Sequence, residues 1–136
     1  MTPFPLTIVT PDGVQFEGEA EQLIVRALSG DLGVMAGHEN LVCPLGMGPA
    51  SVLTSGTRRV AACIGGILSV LDGRVRLVPT TFEWAEKIDL ARAESAEKRA
   101  REMLQLAKND QEKRLAEARL KRALVRQSAA KSVKNI

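Results

Sequence analysis

The sequence predicts two units of different class: an N-terminal β-sandwich, or flattened barrel, over residues 1–85 and a C-terminal antiparallel two-helix hairpin over 86–136. Three observations predict this. From residue 5 to about 79, short runs rich in valine, isoleucine and leucine are broken by turn residues about every 8–12 positions, the spacing of an all-β fold. From about 86 to 107 there is no glycine or proline and alanine dominates, the composition of a helix. The charge changes at the same place. Residues 1–85 carry five arginines, no lysine and eight acids, a net −3, while 86–136 carry fourteen basic residues and eight acids, a net +6. Such a split points to two units with different partners.

In chain order, "PLTIVT" runs into Asp12-Gly13, a pair suited to a tight hairpin turn, and "VQFEG" and "EQLIVRA" follow. Residues 30–37 are spaced by glycines and read as a loop. Then come "NLVCPL", "ASVLT", a Ser55-Gly56 turn, "RRVAACI", "GILSVL", an Asp72-Gly73 turn and "RVRLVP". That makes eight or nine strands. No helix-length segment lies between them, which disfavours a parallel α/β sheet. In "TTFE", Thr80 and Glu83 have capping-box spacing, so the first helix is expected from about 86. Asn109 suits a left-handed cap and Asp110 an N-cap of the second helix. This second helix is expected to reach about 127, before a frayed "SAAKSVKNI" tail. So short a junction makes the helices antiparallel.

Composition narrows the function. The longest apolar run, "VAACIGGILSVL" at 60–71, is too short to span a bilayer, and no secretion signal is read at the start. Cys43 and Cys63 stand singly in apolar stretches; two buried thiols are expected, with a disulfide as the alternative. One histidine in the chain argues against a zinc site. No G-x-x-x-x-G-K-[ST] loop occurs, so an enzyme is not expected. A basic helical nucleic-acid-binding module is the alternative function, from the pI of about 9.1. Against it, the helices lack aromatics for base stacking.

The hairpin has a thin core. Ten alanines fall between 91 and 130, and large apolar side chains are few. A buried leucine contributes about 1.5–3 kcal/mol and an alanine much less. Alanine also gives intrinsic helicity, so the helices can separate without melting. A permanently docked hairpin is the other reading. Arg92 and Arg99, seven residues apart, lie on one face; Arg119, Arg122 and Arg126 share a face of the second helix. Antiparallel pairing puts Arg92 near Arg126 and Arg99 near 119–122. Two guanidiniums about 7 Å apart repel by roughly 0.6 kcal/mol in water and about 2 near a protein surface. An anion relieves this, and a triphosphate suits arginine forks. The plainer reading is a solvated basic face.

Four stretches, "VTPDGVQFEGEAEQLIV", "GDLGVMAGHENL", "IGGILSV" and "EKIDLARAESAEKRA", are spread over nearly the full chain. Together, and in family order, they resemble the epsilon subunit of bacterial F-type ATP synthases. Ala36, Glu39-Asn40 and Ile64 depart from the family pattern around the Gly-His pair and the paired glycines. The resemblance implies a non-catalytic rotor subunit of the central stalk, coupling ion translocation to ATP synthesis, peripheral on the cytoplasmic face of the cell membrane. Its implied partners are the gamma subunit, the ring of c subunits through Asp31 and His38, and the catalytic beta subunit when the hairpin extends and hinders hydrolysis. Read without the family, His38 is a turn residue bonding the backbone. No cofactor is required, but ATP is implied as a regulatory ligand of the folded hairpin. The matching residues are Glu83, Ile88, Asp89, Arg92, Ala93, Arg99, Arg122 and Arg126. Glu83 and Asp89 are then expected to hydrogen-bond the nucleoside, and the four arginines to hold phosphates.

Overall fold

Strand β1, Phe4–Thr10, buries Phe4, Leu6, Ile8 and Thr10 and leaves the residues between them more exposed, the period of a half-buried strand. It is the first of ten strands in the computed structural model of the chain, which describes residues 1–134. The others are β2 (Gly13–Ala20), β3 (Gln22–Ala27), β4 (Gly30–Val34), β5 (Leu41–Pro44), β6 (Met47–Thr54), β7 (Thr57–Ile64), β8 (Ile67–Leu71), β9 (Arg74–Val78) and β10 (Thr81–Trp84). They form two five-stranded sheets, ordered β2-β1-β9-β8-β5 and β10-β7-β6-β3-β4. Pairing is antiparallel except between β1 and β9, where Leu6 lies opposite Val75. Leu6, Ile8, Leu68 and Leu77 from one sheet meet Leu23, Val25 and Val52 from the other in a single sandwich core.

The hairpin turns follow backbone chemistry. Ser55-Gly56 has φ of 50° and 76°, and Asp72-Gly73 has 49° and 82°. Two successive positive φ values match the twist of the flanking strands. Gly66 is required for a second reason. Its φ is 99°, and a Cβ there would lie 2.1 Å from the Val78 carbonyl oxygen. Trp84 joins the sheets: its indole Nε1 donates to the Gln15 carbonyl at 3.3 Å, and its ring meets Phe82 edge-on at 4.9 Å. Both thiols are free, with Cys63 buried and Cys43 half-buried.

The sandwich-plus-hairpin class agrees with the sequence, but several elements differ. The glycine-spaced stretch begins as strand β4, with Gly33 opposite Ile24 at a sheet edge. There a glycine has no second neighbour to pack against. Strand β10 takes up residues 81–84, within the stretch expected to cap a helix, because Phe82 and Trp84 are buried alternately. A 3-10 turn, Ala85–Lys87, follows. Helix α1 therefore starts later, at Leu90–Leu106, capped by Asp89, whose Oδ1 accepts from the Arg92 backbone N–H at 3.1 Å. Asn109 is not left-handed. Its Oδ1 accepts from the Glu112 N–H at 2.8 Å, while Glu112 Oε2 accepts from the Lys108 N–H at 2.8 Å, a reciprocal cap. Asp110, expected as the cap, is instead the first residue of helix α2, Asp110–Lys134. This helix continues past 127 because Ala129 and Ala130 are buried beyond it. Of the expected frayed tail, Asn135 and Ile136 lie outside the described residues.

Candidate functional site

The helices meet along alanine. Ala93 and Ala100 of α1, and Ala116, Ala123 and Ala130 of α2, are all buried and recur every seven residues. Seven residues is nearly two turns, so each set forms one stripe. A methyl seam lets the helices approach closely but buries little area. Another face of α2 lies on the outside of one sheet. Val125 and Ala129 pack against Ala62 and Ala85, with Met47, Val60 and Ile88 partly buried around them. Helix α2 is thus the middle layer between α1 and the sandwich.

A cleft of about 720 Å³ opens between the two helices and the sheet edge. Arg99 enters it from α1, Arg119, Arg122 and Arg126 from α2, and Glu83 from β10. Glu102 completes the charged lining, leaving a net +2 from four arginines and two glutamates. The remaining walls are apolar: Ile64, Ala96, Ala100, Met103, Leu106 and Ala123, with Thr81 at the sheet edge. Arg126 is held by a forked pair, its Nε at 2.9 Å from Glu83 Oε1 and its Nη2 at 3.3 Å from Oε2. Arg119 places Nη1 3.5 Å from the Met103 sulfur. Among the described residues, Arg99, Arg119 and Arg122 form no ion pair. Three guanidiniums without an ion-pair partner, on largely apolar walls, have the fork geometry that can pair with the oxygens of a multivalent anion.

The sequence-derived residues divide between the cleft and its surroundings. Arg99, Arg122, Arg126 and Glu83 line it together. Arg92 does not; it is exposed in the first turn of α1. Asp89 caps that helix, Ala93 lies in the alanine seam, and Ile88 packs beneath α2. Arg119 was absent from the family-matched set, although turn counting put it on the face of Arg122 and Arg126. Gln127 carries no expectation from the sequence. It is buried against α1, and its signal was a lone amide between Ala123 and Ala130.

Asp31 and His38 do not share one spot. Asp31 stands opposite Arg26, with which it forms an ion pair, close to the turn at 28–29. His38 lies beyond the other end of β4, where its Nδ1 hydrogen-bonds the Glu39 carbonyl at 2.8 Å and its N–H donates to Met35 at 3.2 Å. The outer face of the sheet remote from the helices carries exposed apolar residues, including Val42, 71% exposed, and Ile67, 50% exposed. No helix among the described residues is long and apolar enough to cross a membrane.

Residues 3–85 match the family model for the β-sandwich domain of the ATP synthase delta/epsilon chain, and residues 86–131 match its long α-helix domain. The ATP synthase epsilon chain of Bacillus pumilus is 40% identical over 125 residues, covering 92% of this chain and 95% of its own. That of Ruminococcus albus is 38% identical over 131 residues, covering 96% and 98%. The fold also matches a chain of the Euglena gracilis mitochondrial ATP synthase, TM-score 0.85 at 24% identity, covering 95% of this chain and 82% of that one. A chain from the central stalk and c-ring of the Tetrahymena thermophila enzyme gives 0.70 at 13%, covering 93% and 95%.

Proposed function

The chain belongs to the delta/epsilon family of ATP synthase subunits, as an epsilon chain, and from that footing we propose that it is a non-catalytic rotor subunit whose hairpin regulates ATP hydrolysis. It sits in the central stalk, peripheral on the cytoplasmic face of the membrane, and couples ion translocation to ATP synthesis. The sandwich takes the gamma subunit and the c-ring as partners. The apolar strip around Val42 and Ile67 is the surface offered to gamma, so Val42→Glu should weaken co-purification with that subunit while leaving the thermal midpoint unchanged. The hairpin has two arrangements: docked as described above, and extended toward the catalytic beta subunit. The segment from 118 to 136, which contains no acid, provides charge for that second partner.

ATP favours the docked arrangement by binding in the cleft. The observation that carries this is the convergence of Arg99, Arg119, Arg122 and Arg126 from two helices beside Glu83 of the sandwich. A triphosphate joins cations that otherwise repel, and it holds both helices to the sheet. Because the ligand binds only the docked form, it must stabilise that form by mass action, about 2.7 kcal/mol at a hundredfold excess over the Kd. Millimolar ATP should therefore raise the thermal midpoint of the isolated chain, and Arg122→Ala or Arg126→Ala should abolish the rise. No rise in the unsubstituted chain overturns the nucleotide reading and leaves the family assignment standing.

A further inference from the structure

Arg126 and Gln127 are neighbours in sequence but serve opposite sides of α2. Arg126 ties the helix to β10 through Glu83, whereas Gln127 faces α1. Gln127 is 7% exposed, and its Nε2 donates to Glu97 Oε1 at 2.7 Å and to the Ala93 carbonyl at 3.4 Å. The second oxygen of Glu97 accepts from Arg101 Nε at 2.8 Å. Thr10 and Gln127 are the two buried polar residues among those described, and Gln127 alone lies between the helices. A buried amide costs free energy unless it is paired, and here its partners all belong to α1.

The alanine seam cannot fix how the helices align. Every rung presents the same methyl group, so sliding or splaying loses little contact. The junction at 107–109 restrains one end, and at the other Ile88 packs beneath α2 just ahead of the Asp89 cap. Gln127 lies seventeen residues beyond Asp110, about 26 Å along the helix from that junction. Misalignment there would strand the amide, so a single buried polar contact selects one arrangement. That arrangement governs the cleft. Glu97 is two residues before Arg99, and Gln127 is one residue after Arg126.

We propose that Gln127 is a positioning residue for the anion cleft. Its amide hooks α1 at Glu97 and Ala93 and so holds Arg99 across from Arg122 and Arg126. This rests on the polyphosphate reading of the cleft, and the test separates the two. ATP affinity is measured on the full chain and on Gln127→Leu, Gln127→Glu and the double variant Glu97→Gln/Gln127→Glu. In the same four backgrounds, nitroxide labels at Ser95→Cys and Ser128→Cys, both exposed sites, with Cys43→Ser, report the interhelical distance. Gln127→Leu and Gln127→Glu should each lower ATP affinity roughly tenfold, as loss of a hydrogen bond to a charged group does, and should broaden the distance distribution. The double variant restores the amide–carboxylate pair with the roles exchanged, though without the Ala93 and Arg101 contacts, so it should recover part of both. A Gln127→Leu chain with unchanged affinity and an unchanged distribution overturns the proposal, as does a double variant no better than Gln127→Glu. If the unsubstituted chain binds no ATP, the polyphosphate reading fails and the label distances decide alone. Broadening in Gln127→Leu then supports the fastening, and an unchanged distribution overturns it.

Discussion

Replacing Arg126 by alanine in the absence of nucleotide should loosen the hairpin from the sandwich, and the size of the effect follows from the geometry of the pair. Both Glu83 oxygens are engaged, and the side chains are 25% and 32% exposed. Fully exposed pairs contribute up to about 1 kcal/mol, while breaking a buried pair costs about 3–5 because a charge is left stranded. Partial exposure places this coupling at about 1–2 kcal/mol. For a chain of this size, 1 kcal/mol moves the thermal midpoint by about 3–5 °C. Arg126→Ala should therefore lower the midpoint by several degrees. The double-mutant cycle with Glu83→Gln should return a coupling of about 1–2 kcal/mol. Denaturant unfolding followed by circular dichroism and by Trp84 fluorescence supplies the four free energies. Trp84 is suited to this, being next to Glu83 in β10. Effects that add to within about 0.3 kcal/mol would refute the forked pair as a docking contact.

Three further outcomes follow from other parts of the molecule. Gly66→Ala combines a positive φ with a Cβ placed 2.1 Å from a carbonyl oxygen, so it should cost about 3 kcal/mol or more in denaturant unfolding. Burial pushes the Cys63 thiol up to about 12, and burial also raises Cys43. A thiol reagent at neutral pH should leave Cys63 unmodified in the folded chain and react there only after unfolding, as read by mass spectrometry. The Gln127 amide, and then Arg101, hold the Glu97 carboxyl below its ordinary value of 4.5. A depressed folded-state value means the contact stabilises above the ordinary glutamate range and is lost as pH falls through the depressed value. Label distances between the helices should thus stay narrow at neutral pH and broaden only as pH falls below the ordinary glutamate range, and Glu97→Gln should remove that acid transition.

Much of the fold was legible because its signals are local. Asp72-Gly73 and Ser55-Gly56 announce their turns, and the alternation in "PLTIVT" announces a strand. The errors arose where two local readings competed and a distant contact chose between them. Thr80 and Glu83 have the spacing of a helix cap, but Phe82 and Trp84 have the period of a strand. The sandwich core decided in favour of the strand by burying both aromatics. The end of α2 is not legible locally, because its last described turns depend on Ala129 meeting Ala62 and Ala85, residues far away in sequence. In the cleft, turn counting aligned Arg99 with Arg119 and Arg122, since helical periodicity and a short junction suffice for that. The pairing of Arg126 with Glu83 links a helix to a strand 43 residues earlier. No helical periodicity encodes such a contact. Arg92 falls outside the cleft lining because the first turn of α1 begins at the Asp89 cap, near the open end of the hairpin.

The claim that a polyphosphate between the two helices holds the hairpin to the sandwich is tested most directly by hydrogen exchange of the full chain with and without millimolar ATP. ATP should slow exchange throughout α1 and α2 and at β10, leave the core strands of the remote sheet unchanged, and lose its effect in Arg122→Ala. Equal exchange with and without ATP in the helices, or protection confined to the sandwich, would contradict it.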